Sequence, residues 1–207
     1  MTVYVESNFV LEIALHQEQV RYAEKLLRLA KQGECQIFIP AFSLAEPFWT
    51  ITWRGKERKE SLNILIREQR NLGRSVKHID LANLVGGIID EIEKVALEEQ
   101  EELEDVVKGL IKQFNVLELG TPVLTRASNI LVQLDLGMQD AIVLASILEH
   151  LENSPNRMES VFISRNRKDF GNPLIVQQLK ELDCKFVPSF QDGFDYLNAW
   201  VYPKTDN

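Results

Sequence analysis

Short continuous apolar runs and runs with helical spacing alternate along the chain. Val3–Val5 is typical of a short buried strand, and Phe9, Val10 and Ile13 then repeat with the period of a helix. Polar residues separate these two runs at positions 6 to 8. The pattern therefore predicts that a strand gives way to a helix near Glu6.

The alternation of strand and helix continues toward the carboxyl terminus. Further strands are predicted at QIFIP, NVLEL, VFIS and KFVP, and further helices over about 18–31, from 41, through 123–131, from 140 and over 176–182. The segments LDLGMQ and RNRKDFGNP are predicted to be loops. Strands that alternate with helices favour parallel pairing, with helices on both faces of the sheet. The predicted fold class is therefore α/β, a three-layer α/β/α sandwich around a mostly parallel sheet of four or five strands.

Residues from about 55 to 115 have a different character, with many charges, helical periodicity and almost no proline. Their apolar residues predict one long amphipathic helix that falters at EEQEE (98–102); these residues are Leu81, Leu84, Ile88, Ile92, Val95, Leu103, Val106, Leu110 and Phe114. This segment is predicted to be a helical insertion in a single domain that spans residues 1–207.

The net charge of −8 conceals a strong segregation of charge along the chain. Positions 53–78 hold eight basic and three acidic residues, a net charge of +5, whereas positions 79–119 hold three basic and eleven acidic residues, a net charge of −8. The overall charge argues against a general nucleic-acid coat protein, because such proteins neutralise phosphates with an excess of Lys and Arg. A local basic surface is still compatible with this distribution.

The composition does not indicate a membrane protein, a disulfide framework or a zinc cluster. No apolar run approaches the roughly 20 residues that a membrane-spanning helix needs, and the first residues do not resemble a signal peptide. A cytoplasmic protein without membrane contacts is therefore expected. Cys35 and Cys184 are the two cysteines, and without paired metal-binding spacing they are predicted to be small core residues.

Four carboxylates are predicted to converge at one edge of the sheet. In open parallel α/β sheets, ligand sites lie outside the carboxyl ends of the strands. Glu6 follows the first strand, and Asn166 and Asp169 follow the strand VFIS. Glu46 and Asp140 lie in the first turns of helices that leave the same edge if the crossovers are regular. Residues from distant parts of the chain are thus expected to share one pocket.

Such a cluster is expected to recruit a divalent cation, because like charges a few ångströms apart raise one another's pKa values. Oxygen ligands without His or Cys favour Mg²⁺ or Mn²⁺ over zinc. A metal-bound water can attack a phosphodiester while the metal neutralises the charge that builds on the phosphate. The chemistry indicated is phosphodiester hydrolysis.

Each acid also has a purely structural interpretation. Glu6 suits a strand end at which its carboxylate meets helix amides, and SLAE at 43–46 matches a capping box in which Glu46 reaches back to Ser43. Asp140 suits a position that complements a helix dipole, and Asp169 suits a turn or a cap. Taken singly, the acids favour these interpretations, whereas the four together favour a shared site.

The ordered set of motifs resembles the PIN-domain family. The family pattern is an acid before Ser or Thr and Asn after the first strand, a Glu early in a later helix, an Asp-Ala pair that opens a buried helix, and a strand that ends before Asn or Asp and then Asp-Phe. The segments VESNFVLE, SLAEPFW, LGMQDAIVLASIL and FISRNRKDF match it in order. The resemblance covers residues 1 to about 50 and about 115 to 190.

The resemblance implies an α/β/α fold, a ribonuclease activity that depends on Mg²⁺ or Mn²⁺, and frequent homodimers. It also implies, for many relatives, a role as the toxin of a toxin–antitoxin pair that a small inhibitory protein, the antitoxin, holds inactive. An RNA substrate, an antitoxin partner and a homodimer are therefore expected here.

The acids are predicted to be catalytic. Glu6, Asp140 and Asp169 are expected to bind the metal directly or through water with the help of Asn166, and Glu46 is expected to orient a metal-bound water. Three polar residues are predicted to orient the carboxylates, although helix capping or strand-end bonding is an equally favoured role for them: Ser7, Asn8 and Ser164. Three basic residues are predicted to contact RNA phosphates: Arg165, Arg167 and Lys168.

Trp49 and Trp53 precede the basic segment 54–77, and such a surface suits an RNA strand that stacks on aromatic rings. A solvated helix face with buried tryptophans is the more favoured interpretation.

Two functions from different classes stay open. The first is a metal-dependent ribonuclease; the alternative is a catalytically weak PIN-like domain that contacts other proteins through its helical insertion. The alternative rests on two departures from the family pattern, the insertion itself and Glu6 at a position that more often holds Asp.

Overall fold

The computed structural model describes residues 1–154 and 158–203. Within these residues the strands are β1 (Thr2–Val5), β2 (Gln36–Pro40), β3 (Asn115–Leu117), β4 (Ser160–Ile163) and β5 (Cys184–Val187). The helices are α1 (Ser7–Ala14), α2 (Val20–Lys31), α3 (Ala41–Leu72), α4 (Ile79–Gln113), α5 (Thr121–Leu134), α6 (Met138–Asn153), α7 (Arg167–Phe170), α8 (Pro173–Glu181) and α9 (Phe190–Val201), and a 3-10 turn covers Val76–His78.

The five strands form one parallel sheet in the order β3-β2-β1-β4-β5. In the register of its centre, Tyr4 of β1 lies opposite Phe38 of β2 and Phe162 of β4. Both β1 and β4 are buried at every position, as expected of strands that are covered on both faces. The α/β class with a central parallel sheet is therefore confirmed.

The chain divides into two compact units. The sheet unit consists of Met1–Pro47 and Val106–Asn207, and the helical unit consists of Phe48–Asp105. The helical insertion was expected over about 55–115. The compact helical unit, Phe48–Asp105, begins and ends several residues before these bounds. The long helices α3 and α4 each contribute residues to both units.

Helix α6 supplies much of the core of the sheet unit. Residues 141–148 are all buried, as the continuous apolar run AIVLASIL predicts. Phe162 of β4 meets Phe170 edge-on with a centroid distance of 5.0 Å. Near the end of α6, the His150 ring lies 4.4 Å from the Phe38 ring and its Nδ1 is 2.7 Å from the Tyr4 hydroxyl. His150 therefore packs against aromatic rings of β1 and β2.

The two predicted loops are shorter than expected. Helix α5 ends at the left-handed Asp135, and α6 begins three residues later at Met138, inside LDLGMQ. The segment RNRKDFGNP contains the short helix α7, and Pro173 begins α8 because a first-turn proline lacks only a hydrogen bond that the helix does not need. Turn-forming residues thus sit at helix ends rather than in extended loops.

One further sequence prediction was wrong, and one helix was missed. Helix α4 runs without a break through EEQEE, since glutamate favours helices and the fully buried Leu103 keeps the apolar stripe in phase. The helix α9 was not predicted. It begins at the cap Ser189, whose hydroxyl accepts the Asp192 amide, and its Gly193 lies so close to β4 that a Cβ there would be 2.4 Å from Ile163 Cδ1.

The helical unit is an antiparallel pair formed by parts of α3 and α4. Apolar and small residues recur every seven positions on both helices, and those on α4 are Ala82, Ile89, Ala96 and Leu103. Arg58 of α3 pairs with Glu99 of α4 at 2.9 Å. Among the described residues, no helix combines the length and the apolar character that a membrane span requires.

The tryptophans of the helical unit are exposed, contrary to the favoured interpretation of the sequence. Trp49 is 67% exposed and Trp53 is 53% exposed. They lie four residues apart and therefore share one face of α3. The Lys56 ammonium lies 5.7 Å from the centre of the Trp53 ring. The face thus presents aromatic rings and a cation to solvent.

Candidate functional site

The predicted site residues lie at the carboxyl edge of the sheet. Because all five strands are parallel, the residues that follow β1, β2 and β4 leave the sheet at this edge. Glu6 follows β1 directly, Glu46 lies in the helix that continues β2, and Ser164 follows β4 directly. All of these residues belong to the sheet unit.

Glu6 is the amino-terminal cap of α1 and is almost fully buried, with 3% of its surface exposed. Its Oε2 accepts the Asn8 amide at 2.8 Å and the Ser7 hydroxyl at 3.0 Å, and its Oε1 accepts the Ser164 hydroxyl at 3.0 Å. Burial raises the pKa of the Glu6 carboxyl, and the hydrogen bonds from these residues oppose that rise. Glu6 therefore also has the structural role that its position at a strand end suggests, because its carboxylate accepts an amide of the helix α1.

Glu46 is joined to Glu6 through one hydroxyl. The Ser7 Oγ lies 2.5 Å from Glu46 Oε2 as well as 3.0 Å from Glu6 Oε2. The capping-box interpretation of SLAE is wrong, because α3 begins at Ala41 and Ser43 is already inside the helix. Glu46 is thus turned toward α1.

Asp140 lies in the first turn of α6 and is partly buried. Its pKa is raised to about 6, first because burial disfavours the charged form and then because Asp169 and Glu46 add negative charge nearby. The Asn166 amide opposes this rise, since its Nδ2 donates a hydrogen bond of 3.0 Å to Asp140 Oδ1. Two acids from distant parts of the chain therefore lie close enough to raise the pKa of Asp140.

Asn166 connects the two halves of the site through three of its polar groups. Its backbone amide donates to Ser164 Oγ at 2.9 Å, its Nδ2 donates to Asp140, and its Oδ1 accepts the Asp169 amide at 3.4 Å as the cap of α7. These contacts fix the orientation of the side-chain amide, with Nδ2 toward Asp140 and Oδ1 toward the Asp169 amide. Asn166 is therefore placed to orient Asp140 and the helix that carries Asp169.

The hydrogen bonds form one continuous path through the site. The path runs through Glu46, Ser7, Glu6, Ser164, Asn166 and Asp140 in this order. Each predicted site residue on this path thus contacts the next, although they lie as many as 158 positions apart in the sequence. Such a network holds carboxylates in fixed positions, which is what a metal-binding or electrostatic catalytic site needs.

The donor chemistry of this edge fits Mg²⁺ or Mn²⁺ in a site that uses few carboxylates. Asp140, Asp169 and Glu46 offer oxygen ligands in a region of concentrated negative charge. Over residues 1–154 and 158–203, no three His, Cys, Asp or Glu side chains are arranged to hold one ion together. Mg²⁺ is commonly bound by one or two carboxylates and keeps several waters. The residues fit a site of that kind, not a cage of three acids.

The three basic residues that were predicted to contact RNA differ in their surroundings. The Arg165 Nη1 lies 2.5 Å from Glu12 Oε2 and 3.0 Å from Glu18 Oε2. Arg167 and Lys168 are exposed in the short helix α7. A phosphate would have to compete with two carboxylates for Arg165. No such ion pair is seen for Arg167 and Lys168 among the described residues.

Glu12 is the residue of this region that the sequence analysis did not single out. It is fully buried in α1, where its Oε1 accepts the Gln19 amide and its Oε2 pairs with Arg165. A carboxylate inside the apolar run FVLEIAL is the signal that marks such a residue, because buried charges need partners. The partner itself, 153 positions away, gives no local signal.

One of three comparisons with known proteins, a match to a family model, agrees with the fold. Residues 3–170 match the family model described as PIN domain. No curated protein matches the chain. A solved structure described as VapBC2 from Rickettsia felis bound to a DNA fragment from their promoter is 13% identical, with a TM-score of 0.45 and coverage of 90% of this chain and 98% of that chain. A likeness this distant does not indicate a substrate or a partner.

Proposed function

The chain belongs to the PIN-domain family, and from this premise we propose that it is a metal-dependent ribonuclease that hydrolyses RNA phosphodiester bonds. PIN domains are generally nucleases that use divalent metal ions. The observation that carries the proposal is the hydrogen-bonded path from Glu46 to Asp140, which joins three of the four family acids, Glu6, Glu46 and Asp140.

Asp140 and Asp169 are the proposed ligands of Mg²⁺ or Mn²⁺. When bound, the ion would supply a water of lowered pKa and positive charge near the scissile phosphate. Asn166 orients Asp140 through its Nδ2 and so acts on the ligand rather than on the metal. Glu46 is proposed to accept a proton from the attacking water, and Ser7 holds its carboxylate in place.

Glu6 acts through its neighbours in this proposal. Its carboxylate is almost fully buried and accepts three hydrogen bonds, two at Oε2 from Ser7 and Asn8 and one at Oε1 from Ser164, so most of its acceptor positions are already used. Its contacts instead fix Ser7, which holds Glu46, and Ser164, which holds Asn166. Glu6 is therefore proposed as a positioning residue that reaches the metal at most through water.

Arg167 and Lys168 are the proposed phosphate contacts, because both are exposed in the helix that carries Asp169. A small inhibitory partner, as in toxin–antitoxin pairs, and a cytoplasmic location are proposed from family membership alone. We also propose that residues 1–207 act as one PIN-like protein with a helical insertion.

The second candidate function is a catalytically weak PIN-like domain that serves protein contacts. The observation that favours it is the burial of Glu6, whose carboxylate already accepts three hydrogen bonds and is therefore less accessible to a metal than the sequence suggested. Exposed apolar residues of the helical unit also favour protein contacts.

Removal of divalent metal is the first test of the proposal. We expect the purified protein to cut single-stranded RNA with Mn²⁺ or Mg²⁺, and we expect cleavage to stop with EDTA and to return with excess Mn²⁺. Gel analysis of an end-labelled RNA measures this directly. Cleavage that persists in EDTA would contradict a metal mechanism, and no cleavage under any metal condition would favour the second candidate function.

The exposed tryptophans lead to a prediction about RNA binding. Trp49 and Trp53 present two rings four residues apart, beside Lys56, and we expect bases of a single strand to stack on them. Trp49→Ala together with Trp53→Ala should weaken binding about tenfold or more, since a stacked base contributes about 1–3 kcal/mol. Fluorescence anisotropy of a labelled oligonucleotide without metal measures affinity apart from cleavage.

Trp200 provides the matched control for this experiment. It is the third tryptophan, it lies in the sheet unit, and its indole donates to Glu159. Trp200→Ala should leave the affinity for RNA unchanged. Equal losses for Trp200→Ala and for the α3 variants would show that the rings of α3 have no special role.

A further inference from the structure

The first turn of α6 holds a second polar side chain beside Asp140. This residue is Gln139, the second residue of the helix, and it is exposed. Asp140 belongs to the hydrogen-bonded path of the candidate site, where it accepts the Asn166 amide. Gln139 is therefore the neighbour in the chain of a proposed metal ligand.

The side chains of Gln139 and Asp140 both fold back over Gly137, the residue that precedes the first turn of α6. A Cβ atom placed on Gly137 would lie 3.6 Å from Gln139 Oε1 and 3.6 Å from Asp140 Oδ2. Adjacent residues within a helix ordinarily do not face each other. Here they converge, because helical side chains tilt toward the amino terminus and no earlier turn fills the space before a first turn. The two oxygens therefore border the same space.

Gly137 leaves this space open. Its φ of −63° and ψ of 152° are angles that residues with side chains adopt without strain, so the backbone does not require a glycine here. A Ser or Asp at this position would bond to the first-turn amides, whereas Gly137 provides no such cap. Any side chain there would lie against both oxygens. The glycine thus keeps room beside Gln139 Oε1 and Asp140 Oδ2.

Both oxygens are accessible acceptors. Asp140 uses Oδ1 for the Asn166 amide, so Oδ2 is the oxygen of this carboxylate that faces Gly137. The described part of the chain, residues 1–154 and 158–203, donates no hydrogen bond to Asp140 Oδ2 or to Gln139 Oε1. The pair thus combines a charged oxygen and a neutral one beside an open space.

A neutral oxygen suits the proposed cation at this position. Carbonyl and carboxylate oxygens are ligands that suit Mg²⁺ and Mn²⁺. Asp140 already has the negative charges of Asp169 and Glu46 nearby, so another carboxylate would add repulsion in the metal-free protein. The carbonyl of a glutamine adds an oxygen ligand without adding charge.

We propose that Gln139 Oε1 is a ligand of the divalent cation, beside Asp140 Oδ2 in its coordination shell. The cation contacts the glutamine oxygen directly or through one of its own waters. This inference rests on the proposed function, from which it takes the cation and the role of Asp140. It adds a ligand that is not one of the four acids.

Binding of Mn²⁺ without RNA tests the proposal independently of cleavage. The electron paramagnetic resonance signal of free Mn²⁺ falls as the ion binds, and a titration gives the dissociation constant. Gln139→Met should raise this constant about tenfold, the lower end of the range for residues that support a metal site. Gln139→Glu should lower it at least about threefold, because a charged oxygen replaces the neutral one on a side chain of the same length. Both substitutions place good helix formers at an exposed position, so the fold should be kept.

Gln191 provides the matched control. It is the second residue of α9, as Gln139 is of α6, and it is likewise exposed. Its backbone amide lies 3.3 Å from the Gln19 side-chain oxygen. Gln191→Met and Gln191→Glu repeat the same changes of size and charge at the same position in a helix, and they should leave the dissociation constant for Mn²⁺ unchanged.

Asp140→Asn, measured in the same series, distinguishes failure of this inference from failure of the proposed metal site. It should weaken Mn²⁺ binding more than Gln139→Met does. If Asp140→Asn weakens binding and Gln139→Met does not, Gln139 is not a ligand, although the proposed function stands. If neither weakens binding, the proposed metal site and this inference are both wrong.

Two further results would overturn the proposal. Equal effects of the Gln139 and Gln191 variants would show that the space over Gly137 has no special role. A Gln139→Met variant that binds Mn²⁺ normally but binds a labelled oligonucleotide less tightly would assign the Gln139 amide to an RNA phosphate instead of the cation.

Discussion

Asp140→Asn is expected to lower the rate of RNA cleavage by about 10²–10³-fold or more, the range for loss of one electrostatic group from an active site. The nearby charges of Asp169 and Glu46 add to the rise in the pKa of Asp140, so its carboxylate lies near both of these acids. Asparagine has the same shape and can still accept the hydrogen bond from Asn166. The substitution therefore removes the negative charge of the proposed metal ligand and little else.

The measurement is single-turnover cleavage of a labelled RNA with saturating Mn²⁺. Thermal unfolding supplies a second readout, because Mn²⁺ should raise the melting temperature of the wild type and should raise that of Asp140→Asn less or not at all. Without metal, the variant should be as stable as the wild type or more stable, since one of three neighbouring negative charges is gone.

Asp135→Asn is the matched control for this prediction. Asp135 is exposed, lies five residues before Asp140 and has φ of 52°, a left-handed conformation that Asn adopts readily. The same change of charge at this position should leave cleavage unchanged. If Asp140→Asn cuts RNA as fast as Asp135→Asn does, Asp140 is not part of the catalytic site.

Arg165→Met is expected to destabilise the fold by about 3 kcal/mol, near the lower end of the range for removal of one partner of a buried ion pair. Arg165 is the ion-pair partner of Glu12, whose side chain is fully buried, and without it the Glu12 carboxylate keeps only the hydrogen bond from the Gln19 amide. The second pair, with the exposed Glu18, contributes little because water screens it.

Urea unfolding measures this loss, and a double variant identifies its cause. Adding Glu12→Gln to Arg165→Met should recover much of the lost stability, since the buried charge disappears and the Gln carbonyl can still accept the Gln19 amide. Arg167→Met is the control, because Arg167 is exposed and its loss should change stability by about 0.5 kcal/mol or less. A stable Arg165→Met variant that binds RNA poorly would instead support a phosphate contact for Arg165.

Much of the fold follows from local sequence patterns. The strand–helix alternation, the parallel sheet and the buried α6 were all predictable, because each depends on the spacing of apolar residues within one element. The convergence of Glu6, Glu46 and Asp140 was predictable for a related reason, since a parallel sheet brings strand ends to one edge. The predicted sheet topology thus indicates that these acids lie close together, although no single acid indicates a shared site.

Other features depend on contacts that local patterns do not encode. The hydrogen bond from Ser164 to Glu6 and the ion pair of Glu12 with Arg165 join residues about 150 positions apart. The sequence near one residue therefore does not indicate its partner. The exposure of Trp49 and Trp53 also escaped prediction, because an aromatic residue in a helix is most often buried and only the neighbouring surfaces decide otherwise. The roles of these residues depend on the assembled structure.

The order of the strands has a consequence for synthesis of the protein. The central strand β1 is made before the other strands of the sheet, and its neighbour β4 follows only after some 150 further residues. The network around Glu6 also needs Ser164 and Asn166, which come directly after β4. Pairing over such a separation makes folding slow, and domains fold as they emerge from the ribosome. A nascent chain therefore has no assembled acidic site during most of its translation, and a ribosome that stops early releases a fragment that lacks one.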